Sequence, residues 1–204
     1  MYNPDNRYFK GLNYDGIASA VTFMIRKYCP KMINITKSVN INFNQDLCEI
    51  ESFGWGISGA TENSIIIHVF NKRIKTEKSN DIPFGKSKNT VYYVLLHELA
   101  HSFELVERYF SLIETNHEIT LEEVSFDEKY ENIDPEKLWL YEEEIATDIF
   151  ALSNLPLFDT LCKLESNLMR LKTVNVVDKN NRNIKDDVIV YQMIELLDGR
   201  GDDK

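Results

Sequence analysis

The chain has 204 residues, 43% of them hydrophobic, which suits one well-packed domain and would crowd two. Against 23 Lys and Arg stand 33 Asp and Glu, a formal net charge of −10, so the surface repels phosphate backbones and nucleic acid is not expected as a direct partner. No apolar run approaches bilayer length, Met1 to Asn6 lacks a basic-then-apolar signal, and Cys29, Cys48 and Cys162 are odd in number and widely spaced. A soluble cytoplasmic protein with free thiols, no membrane contact and no disulfide framework is expected.

Tyr14, Ile17, Ala18, Val21, Met24, Ile25 and Tyr28 recur at helical spacing before Pro30, which predicts an amphipathic helix. Val39, Ile41 and Phe43 alternate with asparagines, the period of a half-buried strand. Phe53 to Gly59 is a glycine-rich bend or hairpin region. "SIIIHVF", Ser64 to Phe70, is a β-branched strand in the interior or near the edge of a small sheet. Lys72 to Asn89, with Pro83 and Gly85, reads as a loop. A helix then starts at a cap on Asn89 or Thr90, with Val91, Val94, Leu95, Leu99, Phe103, Val106 and Phe110 as its apolar stripe.

Residues 111 to 133 are rich in Glu and have no period, so they are read as irregular with one short helical turn, an acidic flap between two helices. Asp134-Pro135 has the composition of a helix start, and the helix is expected to end near Leu155, before Pro156. Its predicted buried stripe is Leu138, Tyr141, Ile145, Ile149 and Leu152. Leu157, Leu161, Leu164, Leu168 and Leu171 predict a further helix. Val174 to Val177 and Ile184 suggest a hairpin around Lys179 to Asn181, with a last helix from about Asp186. No repeat or linker divides the chain, so a single α+β domain is expected, with its core at about 14–156 and a C-terminal helical addition at 157–204.

Two of the four histidines fall in "HELAH", residues 97 to 101. Residues four apart on a helix share a face, so His97 and His101 can turn ring nitrogens to one metal ion, at roughly 2.0–2.1 Å for zinc. Glu98 sits beside that face, where a carboxylate can act as general base. Leu95, Leu96, Leu99 and Ala100 make this helix apolar on most sides, and buried imidazoles need partners. A catalytic zinc takes a third protein ligand and keeps one open position. Glu104 and Glu107 stand where a metzincin would have its glycine and third histidine. In "EEEIATDIFA", residues 142 to 151, Glu144 and Asp148 share a face. Glu144 is therefore the expected third ligand, and Asp148 the group accepting the free ring N–H of a ligand histidine. Glu142 and Glu143 read as solvated.

This arrangement, "HELAH" on one helix and Glu144, Asp148, Phe150 and Ala151 on a second, resembles the gluzincin-type zinc peptidases and is most similar to the ImmA/IrrE family. The resemblance implies a zincin-like core with a small mixed sheet and two metal-binding helices, and one Zn2+ per chain held by His97, His101 and Glu144 with Glu98 as base. A protein or peptide substrate is implied, typically a regulatory protein. The long segment between the motifs, residues 102 to 143, and the want of a DNA-binding module depart from the family pattern.

Other residues carry weaker expectations. His117 would suit a third-histidine site like that of SprT proteins, but its polar surroundings favour exposure. His68, inside an apolar strand, reads as a core or sheet-face histidine. Glu104 shares the face of His97 and His101. Tyr92, Tyr93, Tyr130 and Tyr141 are candidates to stabilise an oxyanion. A different class of function stays open: a non-catalytic binding module with a structural or vestigial zinc, using the acidic segment and the leucine seam.

Overall fold

The computed structural model describes residues 9, 11–44, 56–61, 63–70, 88–115, 119–124, 141–164 and 174–178. Helix α1 runs from Tyr14 to Tyr28 and is capped by Asn13, whose side chain accepts from the Gly16 N–H at 3.0 Å. Ile17, Ala18, Val21, Met24 and Ile25 are buried along it, as their period requires. A short turn of helix, α2 (Met32–Ile35), leads into strand β1 (Ser38–Asn44).

β1 pairs in parallel with β3 (Ser64–Phe70), and β2 (Gly56–Thr61) pairs antiparallel with β3. The fourth strand, β4 (Val174–Asp178), pairs in parallel with β1, giving the order β2-β3-β1-β4. The protein is thus mixed α and β around a small mixed sheet. One sheet face presents Val39, Ile41, Phe43, Ile65, Ile67, Val69 and Val174, all buried. Of the two places open to β3 it takes the interior one, and the edge beside it is β2, in the stretch expected to be a bend or hairpin. One expectation changes. Val174 to Asp178 takes β1 as its partner, so part of the expected C-terminal addition belongs to the main sheet. The other arm of the expected hairpin and the helix from Asp186 lie outside the described residues.

Helix α3 (Lys88–Ile113) lies over β2 and β3, while α1 lies toward β4. It starts before Asn89 and Thr90, which fall inside its first turn. Beyond it, α4 (Leu121–Val124) is the one short turn expected in the acidic segment, closed by a capping box in which Thr120 and Glu123 bond reciprocally. Residues 116–118 and 125–140, with His117, Tyr130 and the Asp134-Pro135 start, lie outside the described residues.

Helix α5 (Glu142–Lys163) packs against both α3 and α1. It runs through Pro156 instead of ending there, so Leu157 and Leu161 belong to it and not to a separate helix. Its expected stripe is also on the wrong side. Ile145, Ile149 and Leu152 are 45%, 59% and 61% exposed, and the buried face is Thr147, Ala151, Asn154, Phe158 and Cys162. The two buried polar residues on that face are satisfied. Asn154 accepts from the Tyr28 hydroxyl at 2.6 Å and donates to the Phe150 carbonyl, and Thr147 donates to the Glu144 carbonyl. Edge-on ring contacts of Phe150 with Tyr28 and Phe103, and of Phe158 with Tyr92, complete the seam. At the far end α1 comes so close that a Cβ on Gly16 would lie 2.1 Å from the Cys162 carbonyl oxygen. By length and composition α5 alone among the described helices passes as a membrane span, at a mean hydropathy of 1.2, yet it lies along two other helices. No clear membrane-spanning segment emerges among the described residues.

Candidate metal centre

The close packing of α3 on α5 brings the two sequence motifs face to face. On α3, Tyr93, His97 and His101 follow at four-residue steps and look toward α5; on α5, Glu144 lies in the first turn, where the helix dipole favours a carboxylate. Nε2 of His97 is 3.1 Å from Nε2 of His101 and 3.2 Å from Oε2 of Glu144. Nε2 of His101 is 3.3 Å from Oε1 of the same carboxylate. One donor atom from each of the three lies within 4.8 Å of the others, and all three side chains are half-buried. Among the described residues this group can hold a metal ion, and it contains neither Glu142 nor Glu143.

Each imidazole turns its second nitrogen to a carboxylate of its own. His97 Nδ1 is 2.8 Å from Asp148 Oδ1, with the Thr147 hydroxyl at 3.3 Å, and His101 Nδ1 is 3.6 Å from Glu104 Oε2. That bracing directs both Nε2 atoms inward, which is how metal-ligating histidines are usually oriented. The donor set of two imidazole nitrogens and a carboxylate, with the outer nitrogens already engaged, fits a zinc ion.

The electrostatics agree with the geometry. Burial works against a charged His97, but the hydrogen-bonded Glu144 and the nearby Glu98 hold its pKa above the ordinary value. Burial likewise opposes a charged His101, and Glu104 and Glu144 push it up to about 10. Glu144 goes the other way: burial would raise it, but the two histidines bring it down to about 2.

Glu98 lies about 100° round the helix from His97 and faces the sheet. It is 7% exposed, and burial pushes its pKa up. Strand β2 lies directly on it. A Cβ on Gly56 would fall 2.6 Å from the Glu98 carboxylate, and Ser58 is hydrogen-bonded to it. Neither β2 residue was visible as functional in the sequence, because a glycine and a serine in a glycine-rich stretch carry no pattern. Tyr93 did carry one, since it stands one turn before His97 on the same helix face.

Of the tyrosines considered for an oxyanion, Tyr92 is buried in the core against Phe158, and Tyr93 donates to Asp148. Tyr141 sits exposed at the start of α5. His68 is buried in β3 and is not one of the three grouped residues. Compared with protein-family models, with curated proteins and with solved structures, the chain matches none.

Proposed function

We propose that this protein is a zinc-dependent peptidase of the gluzincin type, akin to the ImmA/IrrE family, with a zincin-like fold. In this reading His97, His101 and Glu144 hold one Zn2+ and Glu98 is the general base. The observation that carries it is the convergence of both Nε2 atoms and the Glu144 carboxylate on one point, with each Nδ1 backed by a carboxylate. Zinc in such a site is a Lewis acid toward a carbonyl and makes water a competent nucleophile near neutral pH.

The chain's own residues supply the rest. Glu98 takes the proton of the attacking water and returns it to the leaving amine. Its upward-shifted pKa makes the carboxylate a stronger base for the first step, and the leaving amine is basic enough to take the proton back. Ser58 and the bare Gly56 fix where that carboxylate points. β2, the sheet edge beside Glu98, has an unpaired side among the described residues, along which an extended peptide can add as a further strand. β3, between β2 and β1, offers no such edge. The substrate class is a peptide or an extended segment of a regulatory protein. Cytoplasmic residence is part of the reading, and the buried free thiols of Cys29 and Cys162 are consistent with it.

Elemental analysis of the purified protein should find one zinc per chain. Glu98→Gln should keep that zinc while cleavage in a peptide-library screen drops ~10²–10⁴-fold. A site closed by four protein ligands, or wild-type cleavage by the Glu98→Gln protein, would sink the peptidase reading in favour of a binding module.

A further inference from the structure

Tyr93 shares a face of α3 with His97, and its hydroxyl donates to Asp148 Oδ1, the same oxygen that meets His97 Nδ1 at 2.8 Å. Asp148 is a short side chain, 43% exposed, at the border between the helix seam and solvent. A carboxylate held from one side only is free to turn toward water. His97 Nδ1 also has a rival partner, the Thr147 hydroxyl at 3.3 Å, which already gives its proton to the Glu144 carbonyl and so has only lone pairs to offer. The half-buried ring of Tyr93 supplies the second anchor on Asp148. Burial and the neighbouring carboxylate push the phenol pKa up, so this hydroxyl remains a donor.

We infer that Tyr93 is a positioning residue for the metal centre: it locks Asp148 against His97 Nδ1, keeps the ring proton there, and leaves Nε2 free to bind metal. The hydroxyl is spent on the Nδ1 side of the imidazole, opposite the nitrogen that faces Glu144 and His101, so Tyr93 does not serve as an oxyanion donor. The inference rests on the zinc reading above, and its test separates the two.

Tyr93→Phe removes the hydroxyl alone. In competition against a chelator of known affinity, zinc binding should weaken about 10-fold, the low end of the ~10–100-fold seen for outer partners of metal ligands. In an Asp148→Ala background the same change should add less than about twofold, because the two groups act in series. With only four histidines, 15N ring spectra of the zinc-saturated protein can be assigned, and Tyr93→Phe should perturb the Nδ1-protonated signature of His97 more than that of His101. Zinc binding within twofold of wild type, losses that multiply with Asp148→Ala, or an unchanged His97 ring spectrum beside a lowered melting temperature would each overturn the inference. A wild-type protein that binds no zinc would overturn instead the metal reading beneath it.

Discussion

Zinc binding to this site should release protons, and the number follows from the groups that surround the two histidines. His101 is held up to about 10 and His97 above its ordinary value, while Glu144 sits near 2 and is already ionised at neutral pH. Metal ligation needs both imidazoles neutral. The sign follows: a raised histidine pKa favours the protonated, metal-free form, so apparent zinc affinity rises with pH. Between the His97 pKa and about 10 only His101 gives up a proton, and affinity should gain about tenfold per pH unit. Below the His97 pKa both do, and the slope should approach about a hundredfold per unit. Chelator competition from pH 6 to 9, corrected for the chelator's own protonation, measures the slope. Calorimetry in buffers of different ionisation enthalpy counts the protons directly. A flat affinity profile with no proton release at pH 7 would refute the argument, because the histidines would then not carry the protons that Glu144 and Glu104 are placed to hold.

Gly56→Ala should leave zinc bound but cost about 10²-fold in peptide cleavage, since a Cβ 2.6 Å from the Glu98 carboxylate must push it aside; an alanine variant as active as wild type would mean that β2 does not set the position of the base. Leu152→Lys, on the outer side of α5, should change unfolding free energy by no more than about 0.5 kcal/mol in urea titrations. A loss several times larger would restore Leu152 to the buried stripe that the sequence suggested.

How much could be read beforehand follows from what each face is made of. α1, β1, β3 and the middle of α3 bury runs of Ile, Val, Leu and Met, so their periods gave the elements directly. Among the described side chains of β2 only the small Ala60 is buried, and the strand bears on Glu98 by backbone proximity, which no composition rule detects. α5 misled for a definite reason. Its inner face carries Thr147 and Asn154, polar residues whose hydrogen bonds make them admissible inside, while Ile145, Ile149 and Leu152 are left outside. Pro156 falls on the exposed side with Leu152, where the carbonyl that loses its donor can meet water, and the inner residues Asn154, Phe158 and Cys162 continue across it. Glu144 and Asp148 both face His97 although the buried stripe predicted for their helix lies on its exposed side. The part of the reading that the packing of α5 on α3 bears on is the four-residue spacing, which turns both carboxylates toward His97.

The charges around the two imidazoles bear on the shape of the site. Four carboxylates surround two imidazoles: Glu98 is buried and Glu144 half-buried, while Glu104 and Asp148 lie nearer solvent. Left uncompensated, such a cluster would be driven apart. Below the His97 pKa, two protons on the imidazoles supply the same charge as one divalent ion, so exchanging them for the ion leaves the net charge of the cluster unchanged. The carboxylates that hold those protons therefore need not move when a metal arrives: Glu144 keeps facing both Nε2 atoms, and Asp148 and Glu104 keep facing the Nδ1 atoms. Preorganisation of this kind puts the proton competition into the pH dependence of affinity and leaves little of it as structural rearrangement. The proton count and the constancy of the ring tautomers are thus two readouts of one arrangement.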